Sequence, residues 1–275
     1  MTARDFLRAL RCSSYTVIRT VTLTVGTDQV QKAIFLRSLL FMALTGLVPV
    51  AIAGPPFFTD DPEPVDYHHW EFYLASEQEH LRHAATATLP HVEVNYGALP
   101  NVQLHVVAPM EYVRTGGGKQ YGYSDTELGV KYRFVDETAV MPQIGIFPLV
   151  ELPTGSKDAG LGNGMVQVYL PVWFQKSWGD LTTYGGGGFW YNPASDAKNW
   201  GFIGWQAQYD FSEVVSLGGE LYFHTPDAPD ATSGTAFSVG GFLNFNEHNH
   251  LLFSLGHSVA GEATTTAYFG YQLTI

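Results

Sequence analysis

Large apolar residues occupy every second position in the last seven residues of the chain, Phe269-Gly270-Tyr271-Gln272-Leu273-Thr274-Ile275. Side chains of a β-strand alternate between two faces, so this pattern predicts a strand with one apolar and one polar face. The pattern recurs in segment after segment back to residue 69, and each segment is bounded by Gly, Pro, Asp or Asn. An apolar face repeated this often must be buried against a second sheet or against lipid, and that choice decides the fold.

The first 53 residues resemble sequence that is removed during export. Lys32 and Arg37 precede the apolar run 39–44, and Ala51-Ile52-Ala53 offers small residues to a signal peptidase. This arrangement is typical of a secretory signal, and the apolar run is too short to span a membrane. We therefore predict four regions: an upstream extension outside the natural product (1–30), a signal peptide (31–53), an irregular N-terminal segment (54–68) and a β-barrel (69–275).

The charge balance after residue 53 excludes several kinds of partner. Residues 1–53 hold six of the 14 basic and two of the 26 acidic residues, which leaves eight basic and 24 acidic residues and a net charge near −16. This balance argues against binding to nucleic acid. The single cysteine, Cys12, lies in the part predicted to be removed, so we expect neither disulfides nor thiol chemistry, and we expect no cofactor.

Twelve segments with a period of two, together with the connections between them, favour lipid over a second sheet. The segments are 69–78, 88–97, 102–113, 124–135, 141–152, 165–175, 181–191, 200–210, 214–224, 235–245, 249–258 and 265–275. Long connections (114–123, 152–164, 225–234) alternate with short ones (98–101, 210–213, 246–249). Outer-membrane barrels have this asymmetry and an even number of strands, whereas soluble sandwiches have no reason to alternate in this way. We predict an all-β, transmembrane, antiparallel up-and-down barrel of about 12 strands in the outer membrane of a Gram-negative bacterium.

The last strand and the aromatic residues predict how such a barrel closes and sits in lipid. Phe269, Tyr271, Leu273 and Ile275 should face lipid, and the strand should pair with the first strand near Trp70. Residues 269–275 would also be the signal for the barrel-assembly machinery. Aromatic residues near strand ends are expected to form interfacial girdles; these are Trp70, Tyr112, Tyr132, Trp173, Trp178, Trp190, Trp200 and Tyr271.

Four motifs resemble an outer-membrane transporter family named for the phenol-degradation MetA pathway. They are Phe58-Thr59-Asp60-Asp61-Pro62, Phe147-Pro148-Leu149-Val150-Glu151-Leu152-Pro153-Thr154-Gly155, Tyr184-Gly185-Gly186-Gly187-Gly188 and His250-Leu251-Leu252-Phe253-Ser254. The resemblance covers most of residues 58–275 and implies passage of aromatic or other small hydrophobic compounds. It supplies no catalytic residues. The chain ends in Ile275, where such barrels commonly end in an aromatic residue.

The polar strand faces predict a lumen. Its candidate lining residues are Glu93, His105, Glu111, Glu127, Lys131, Arg133, Glu151, Gln206, Gln208 and Glu220. Charged groups are tolerated inside a barrel and costly outside it, so these residues could line a passage for a small-molecule solute. Alternatively, Lys131 and Arg133 neutralise nearby carboxylates and the side chains fill the interior. Twelve strands lie between the filled small barrels and the water-filled large ones, so both alternatives stay open.

Glycine-rich stretches and the Pro/Asp-rich lead-in raise two further questions. Gly185–Gly188 predicts sharp curvature or close approach of another segment. The lead-in around residues 57–64 could be that segment, acting as a periplasmic-side plug, although a disordered linker is the favoured interpretation. Gly160–Gly164 only partly resembles a phosphate-binding loop, lacks a strand–turn–helix context and is predicted to be a flexible loop.

Two groups of residues are candidates for lipid hydrolysis and for metal binding. Ser254, His257 and Ser258 suggest a lipid hydrolase at the membrane rim, but both serines lie on the strand face opposite to His257. His248 and His250 share a predicted strand face, yet two ligands do not make a zinc site. We therefore predict a non-enzymatic channel or transporter for passive passage or binding of small compounds. The alternatives are a structural barrel with a filled lumen and an outer-membrane lipid hydrolase.

Overall fold

The computed structural model describes residues 55–275, so the predicted upstream extension and signal peptide lie outside the described residues. Fourteen strand segments follow a lead-in without strands. They are β1 (Trp70–Leu81), β2 (Ala85–Leu99), β3 (Val102–Thr115), β4 (Gly118–Tyr123), β5 (Thr126–Val135), β6 (Gln143–Ile146), β7 (Leu149–Leu152), β8 (Gln167–Trp178), β9 (Leu181–Tyr191), β10 (Trp200–Asp210), β11 (Val215–His224), β12 (Gly234–Asn246), β13 (Asn249–Ala260) and β14 (Thr264–Thr274). One 3₁₀ turn, Lys157–Ala159, lies between β7 and β8.

These segments form a closed antiparallel barrel of twelve strands, as the sequence predicted. β4 and β5 both pair with β3, so they are two parts of one barrel strand. β6 and β7 both pair with β5 and β8 and make a second interrupted strand. Every other strand pairs with its neighbours in sequence, and β1 pairs with β14. Within residues 55–275, no helix has the length and apolar character needed to cross a membrane.

The seam between the first and last strands confirms the predicted closure. The Trp70 N–H donates to the Ile275 carbonyl at 2.7 Å, and the Ile275 N–H donates back to Trp70 at 2.9 Å. Phe269 and Ile275 point outward with more than half of their surface exposed. The seam pairs the backbone groups of both terminal strands and closes the sheet; among the fourteen described segments, only β4 is paired on one side alone, with β3.

The two ends of the barrel differ, although less regularly than the sequence suggested. The turn end carries the tight turns Pro100–Asn101, Gly179–Asp180 and Glu247–His248, and the loop end carries loops 153–166, 192–199 and 225–233. The predicted long loop 114–123 is wrong, because β3 and β4 continue as a hairpin that turns at Gly116–Gly117. The strands β1 and β2 likewise extend until only three residues join them.

The glycine run in β9 is explained by its neighbouring strands. A Cβ on Gly187 would collide with the Phe202 carbonyl of β10, and one on Gly188 would lie 2.6 Å from the Leu170 carbonyl of β8. The predicted close approach at Gly187 and Gly188 is met by the backbones of the adjacent strands. Glycine here lets β8, β9 and β10 curve tightly around the interior.

The closed barrel should give a heat-dependent band shift on SDS gels. Backbone pairing joins all twelve strands around the barrel, so the unboiled protein should stay folded and migrate differently from the boiled protein. A variant lacking residues 264–275 has lost β14 and the seam, and it should migrate identically with and without boiling. A full-length protein that migrates identically before and after boiling would contradict the closed barrel.

Candidate functional site in the barrel interior

The N-terminal lead-in lies inside the barrel. Thr59 and Asp61 have no solvent-exposed surface. A Cβ on Gly204 of β10 would collide with the Thr59 side chain, one on Gly145 of β6 would lie 2.9 Å from Pro62, and one on Gly97 of β2 would collide with the Asp66 backbone. Three glycines on different strands thus make room for residues 55–66, here called the inner segment. The favoured interpretation of this lead-in as a disordered linker is wrong, because Thr59 and Asp61 are fully buried; a role as a periplasmic-side plug stays a prediction.

Ion pairs hold the inner segment against β5. The Lys131 ammonium lies 2.9 Å from an Asp60 oxygen and 3.6 Å from an Asp61 oxygen. The Arg133 guanidinium lies 2.5 Å from Glu63. Lys131 is almost fully buried, so its charge needs these carboxylates. The two cations predicted to line the lumen are therefore both occupied by acids of the inner segment.

Glu220 of β11 holds the segment from the opposite side of the barrel. Its carboxylate accepts the backbone N–H groups of Phe58 at 3.0 Å and Thr59 at 2.8 Å. The Ser238 hydroxyl donates to the same carboxylate at 2.7 Å. Three further side chains bind the segment: Ser254 donates to the Pro56 carbonyl, Gln143 donates to Glu63, and Gln103 accepts the Val65 N–H. The segment therefore crosses the interior from β13 and β11 to β5 and β3.

The buried carboxyl of Asp61 depends on its cationic neighbour. Burial raises the pKa of Asp61 well above its usual range, while the charge of Lys131 acts in the opposite direction. The Glu63 N–H also donates to Asp61. Removing Lys131 would leave this carboxyl without the main group that compensates its desolvation.

The structure places all ten predicted lumen residues on the interior side of their strands. Six are buried (Glu93, His105, Lys131, Gln206, Gln208, Glu220) and four are half-buried (Glu111, Glu127, Arg133, Glu151). They do not form one site. Lys131, Arg133 and Glu220 bind the inner segment, whereas Glu93, His105 and Glu127 belong to a separate network.

That separate network joins β2, β3 and β5 through a histidine. The two His105 ring nitrogens lie 2.7 Å from Asn95 Oδ1 and 2.9 Å from Glu127 Oε1. The Asn95 amide donates to Glu93 at 2.8 Å. Glu127 also lies directly opposite Glu151 of β7. One wall of the interior therefore carries carboxylates, most of them toward the loop end.

The opposite wall is aromatic, and three of its tryptophans were predicted to lie on the outside of the barrel. Trp173, Trp190 and Trp200 were expected in the exterior girdles, but their rings face the interior. The contacts run along β8 to β11: Tyr169–Trp190 (4.8 Å between ring centroids), Trp190–Trp200 (5.8 Å), Trp200–His224 (6.3 Å), Trp173–Phe202 (6.3 Å), Phe202–Tyr222 (5.7 Å) and Phe58–Tyr222 (5.0 Å). The missed signal was strand parity, because Trp200 and Phe202 share a face with Gln206 and Gln208.

The loop 153–166 is fixed by Asp125. Its carboxylate accepts the N–H groups of Gly155 at 2.9 Å and Asn163 at 2.7 Å. Leu161 is buried, and a Cβ on Gly122 of β4 would lie 2.9 Å from it. The loop is thus tied back onto β4.

The hydrolase and metal candidates are not brought together. Ser254 donates to Pro56 in the interior, whereas His257 is exposed and lies 3.0 Å from Thr265. His248 lies in a turn rather than on a strand, and His250 contacts Asn244. Across residues 55–275, no group of three or more His, Cys, Asp or Glu side chains is arranged to hold a metal ion.

Several solved barrels share this architecture. The COG4313 outer membrane channel from Pseudomonas putida F1 has a TM-score of 0.63 at 16% identity, over 78% of this chain and 99% of that one. The NalP autotransporter translocator domain from Neisseria meningitidis gives 0.53 at 10% identity, over 90% and 97%. The NanC porin gives 0.52 at 8% identity, over 74% and 98%. The chain has the fold of an outer-membrane β-barrel. No family model and no curated protein matches it.

Proposed function

We propose that the protein is a passive outer-membrane channel for small solutes whose lumen is closed by its own inner segment. The observation that carries the proposal is that a piece of irregular chain occupies the middle of the interior. The strands leave room for this chain at Gly97, Gly145 and Gly204. A tethered segment of irregular chain can move out of the lumen, whereas strand side chains that fill a lumen cannot.

Three further features support a channel. The exterior is apolar, with Leu170, Ile203 and Leu221 exposed by more than half, as expected of a surface that faces lipid. The fold is shared with a protein described as an outer membrane channel and with a porin. The aromatic interior wall agrees with the aromatic or hydrophobic solutes that the phenol-degradation MetA resemblance implies. We further propose that residues 269–275 are recognised by the barrel-assembly machinery.

A structural barrel with a permanently filled lumen is the second candidate. The many contacts of the inner segment favour it, since Lys131, Arg133 and Glu220 all bind that segment. The two functions differ in one respect: the channel requires the inner segment to move, and the structural barrel does not.

A reversible crosslink tests that difference. Ser254 on β13 contacts Pro56 near the tip of the inner segment, so Pro56→Cys with Ser254→Cys should form a disulfide on a Cys12→Ser background. In planar bilayers we expect the oxidised protein to be silent and the reduced protein to give discrete conductance steps. A disulfide across this contact holds the segment in place without altering Lys131 or Arg133.

The controls distinguish movement of the inner segment from damage to the barrel. Each single cysteine variant should conduct equally with and without reductant. A variant lacking residues 55–65 should conduct continuously under both conditions. If this deletion conducts but the reduced double-cysteine protein and the unaltered protein stay silent, the lumen is a fixed filling and the channel proposal fails.

A further inference from the structure

We propose that Lys131, Arg133 and the neighbouring aromatic wall form a binding site for a small aromatic monocarboxylate, and that the inner segment occupies this site as a built-in competitor. The inference rests on the proposed channel function and names the solute class for the same interior.

The inner segment presents an aromatic ring to β11 and a carboxylate to β5. The Phe58 ring packs 5.0 Å from the Tyr222 ring on β11. Two residues further on, the Asp60 carboxylate reaches Lys131 on β5. The interior therefore accommodates an aromatic group and a carboxylate at the same time. Once the segment has moved, a free solute with both groups could place its carboxylate at Lys131 and its ring on the aromatic residues beside that ammonium.

The cation borders aromatic surface directly. The Lys131 ammonium lies 4.9 Å from the centre of the Phe147 ring, which packs with Tyr169 and Trp173. An ammonium beside an aromatic face gains a further attraction when it is removed from water. A ring that carries a carboxylate matches this juxtaposition better than an alkyl acid, because its apolar part also contacts the aromatic wall.

Three buried hydrogen-bond donors in the interior are not paired with the inner segment. Among residues 55–275, Trp173 Nε1, Tyr184 Oη and Gln206 Nε2 have no hydrogen-bond partner, and all three side chains are at least 98% buried. Gln206 lies directly opposite Tyr184 on the adjoining strand. Gly204, on the same face of β10 as Gln206, lies against Thr59 of the inner segment. Buried donors are normally satisfied, so a ligand with additional acceptor oxygens could pair with them.

Charge limits the ligand to a monoanion. Arg133 also lies 3.1 Å from Asp136, outside the inner segment, so it stays partly neutralised when the segment leaves. The carboxylates of Glu127, on the same strand as Lys131, and of Glu151 opposite it on β7 would repel further negative charge. Lys131 is then the main uncompensated cation, and one carboxylate balances it.

Binding to the purified full barrel in detergent tests the site without requiring transport. Benzoate, benzylamine and benzyl alcohol are titrated while tryptophan fluorescence is recorded, since Trp173 lies in the site. We expect saturable quenching by benzoate and much weaker responses to the other two. Added to Asp60→Asn, Asp61→Asn and Glu63→Gln, which already weaken the hold of the inner segment on the site, Lys131→Met should weaken benzoate binding by at least about 10-fold relative to that background, as expected for losing a charge-assisted contact. Lys176→Met is the matched control, because Lys176 pairs with Glu137 away from the inner segment, and it should bind like the unaltered protein.

If the inner segment competes with the ligand, weakening its ion pairs should raise the affinity for benzoate. A purely structural role of Asp60, Asp61 and Glu63 would not produce this gain. The triple variant Asp60→Asn, Asp61→Asn, Glu63→Gln weakens the hold of the segment on the site. It should bind benzoate at least about 10-fold more tightly, since apparent affinity scales with the unoccupied fraction. Equal responses to benzylamine and benzoate, or a triple variant that binds no better, would overturn the proposal. Charge-dependent binding by a barrel that never conducts would leave this site standing and refute the channel function instead.

Discussion

Lys131→Met should convert a mostly closed barrel into one that conducts continuously. The substitution keeps the length of the side chain but removes the charge that faces Asp60 and Asp61. Removing one partner of a buried ion pair costs about 3–5 kcal/mol, because the remaining charge stays buried and unpaired. The inner segment can avoid this cost by leaving the interior, whereas the barrel strands cannot. The ratio of open to closed barrels should therefore rise by more than about 100-fold.

Single-channel recording measures the open fraction, and limited proteolysis of the solubilised protein reports whether residues 55–66 have become accessible. The heat-dependent band shift should be retained, which separates release of the segment from unfolding of the barrel. Asp60→Asn and Asp61→Asn added to Lys131→Met remove the unpaired carboxylates and should restore part of the closed state. A Lys131→Met protein that stays closed and protease-resistant would show that the ion pairs do not hold the segment.

The barrel could be predicted from the sequence because each strand carries its own signal. The period of two in β8 to β14 reflects one face toward the interior and one toward the outside, and that constraint is local. The alternation of loop lengths was a weaker guide. Residues 114–123 look like a loop because of their glycines, yet β3 and β4 pair across them and extend the hairpin. The structure of residues 114–123 is determined by pairing between strands, which the sequence of a single segment does not reveal.

The contents of the lumen could be predicted only in part. In one of the two alternatives left open, Lys131 and Arg133 neutralise nearby carboxylates. They do so, but the carboxylates belong to Asp60, Asp61 and Glu63, about 70 positions earlier in the chain. The inner segment has no periodicity, so nothing local shows where it lies. Its position depends on the shape left by glycines on three strands, and that shape exists only once the barrel has closed. The interior tryptophans were misplaced for a different reason: their position near strand ends was weighed above their parity.

Gly204→Ala should displace the inner segment without touching any charge. A Cβ at this position would collide with the Thr59 side chain, and its next neighbours would be the Phe202 ring atoms at 3.1 Å and 3.2 Å. Overpacking a filled interior typically costs about 1–3 kcal/mol, so the open fraction should rise about 5- to 150-fold. Gly201→Ala is the matched control on the same strand. Its added Cβ would have only the Gly188 carbonyl within reach, at an ordinary 3.7 Å, and conductance should not change.

The same contact offers a compensating change that isolates its cause. Thr59→Gly removes the side chain that the new methyl group meets, so Thr59→Gly with Gly204→Ala should return conductance toward that of the Thr59→Gly protein. Thr59→Gly alone leaves the N–H bond from residue 59 to Glu220 intact, because that bond involves only the backbone of residue 59. Failure of the pair to restore closure would mean that Gly204→Ala acts by distorting β10. Restoration would identify the fit of Thr59 over Gly204 as a determinant of the closed channel that is independent of Lys131.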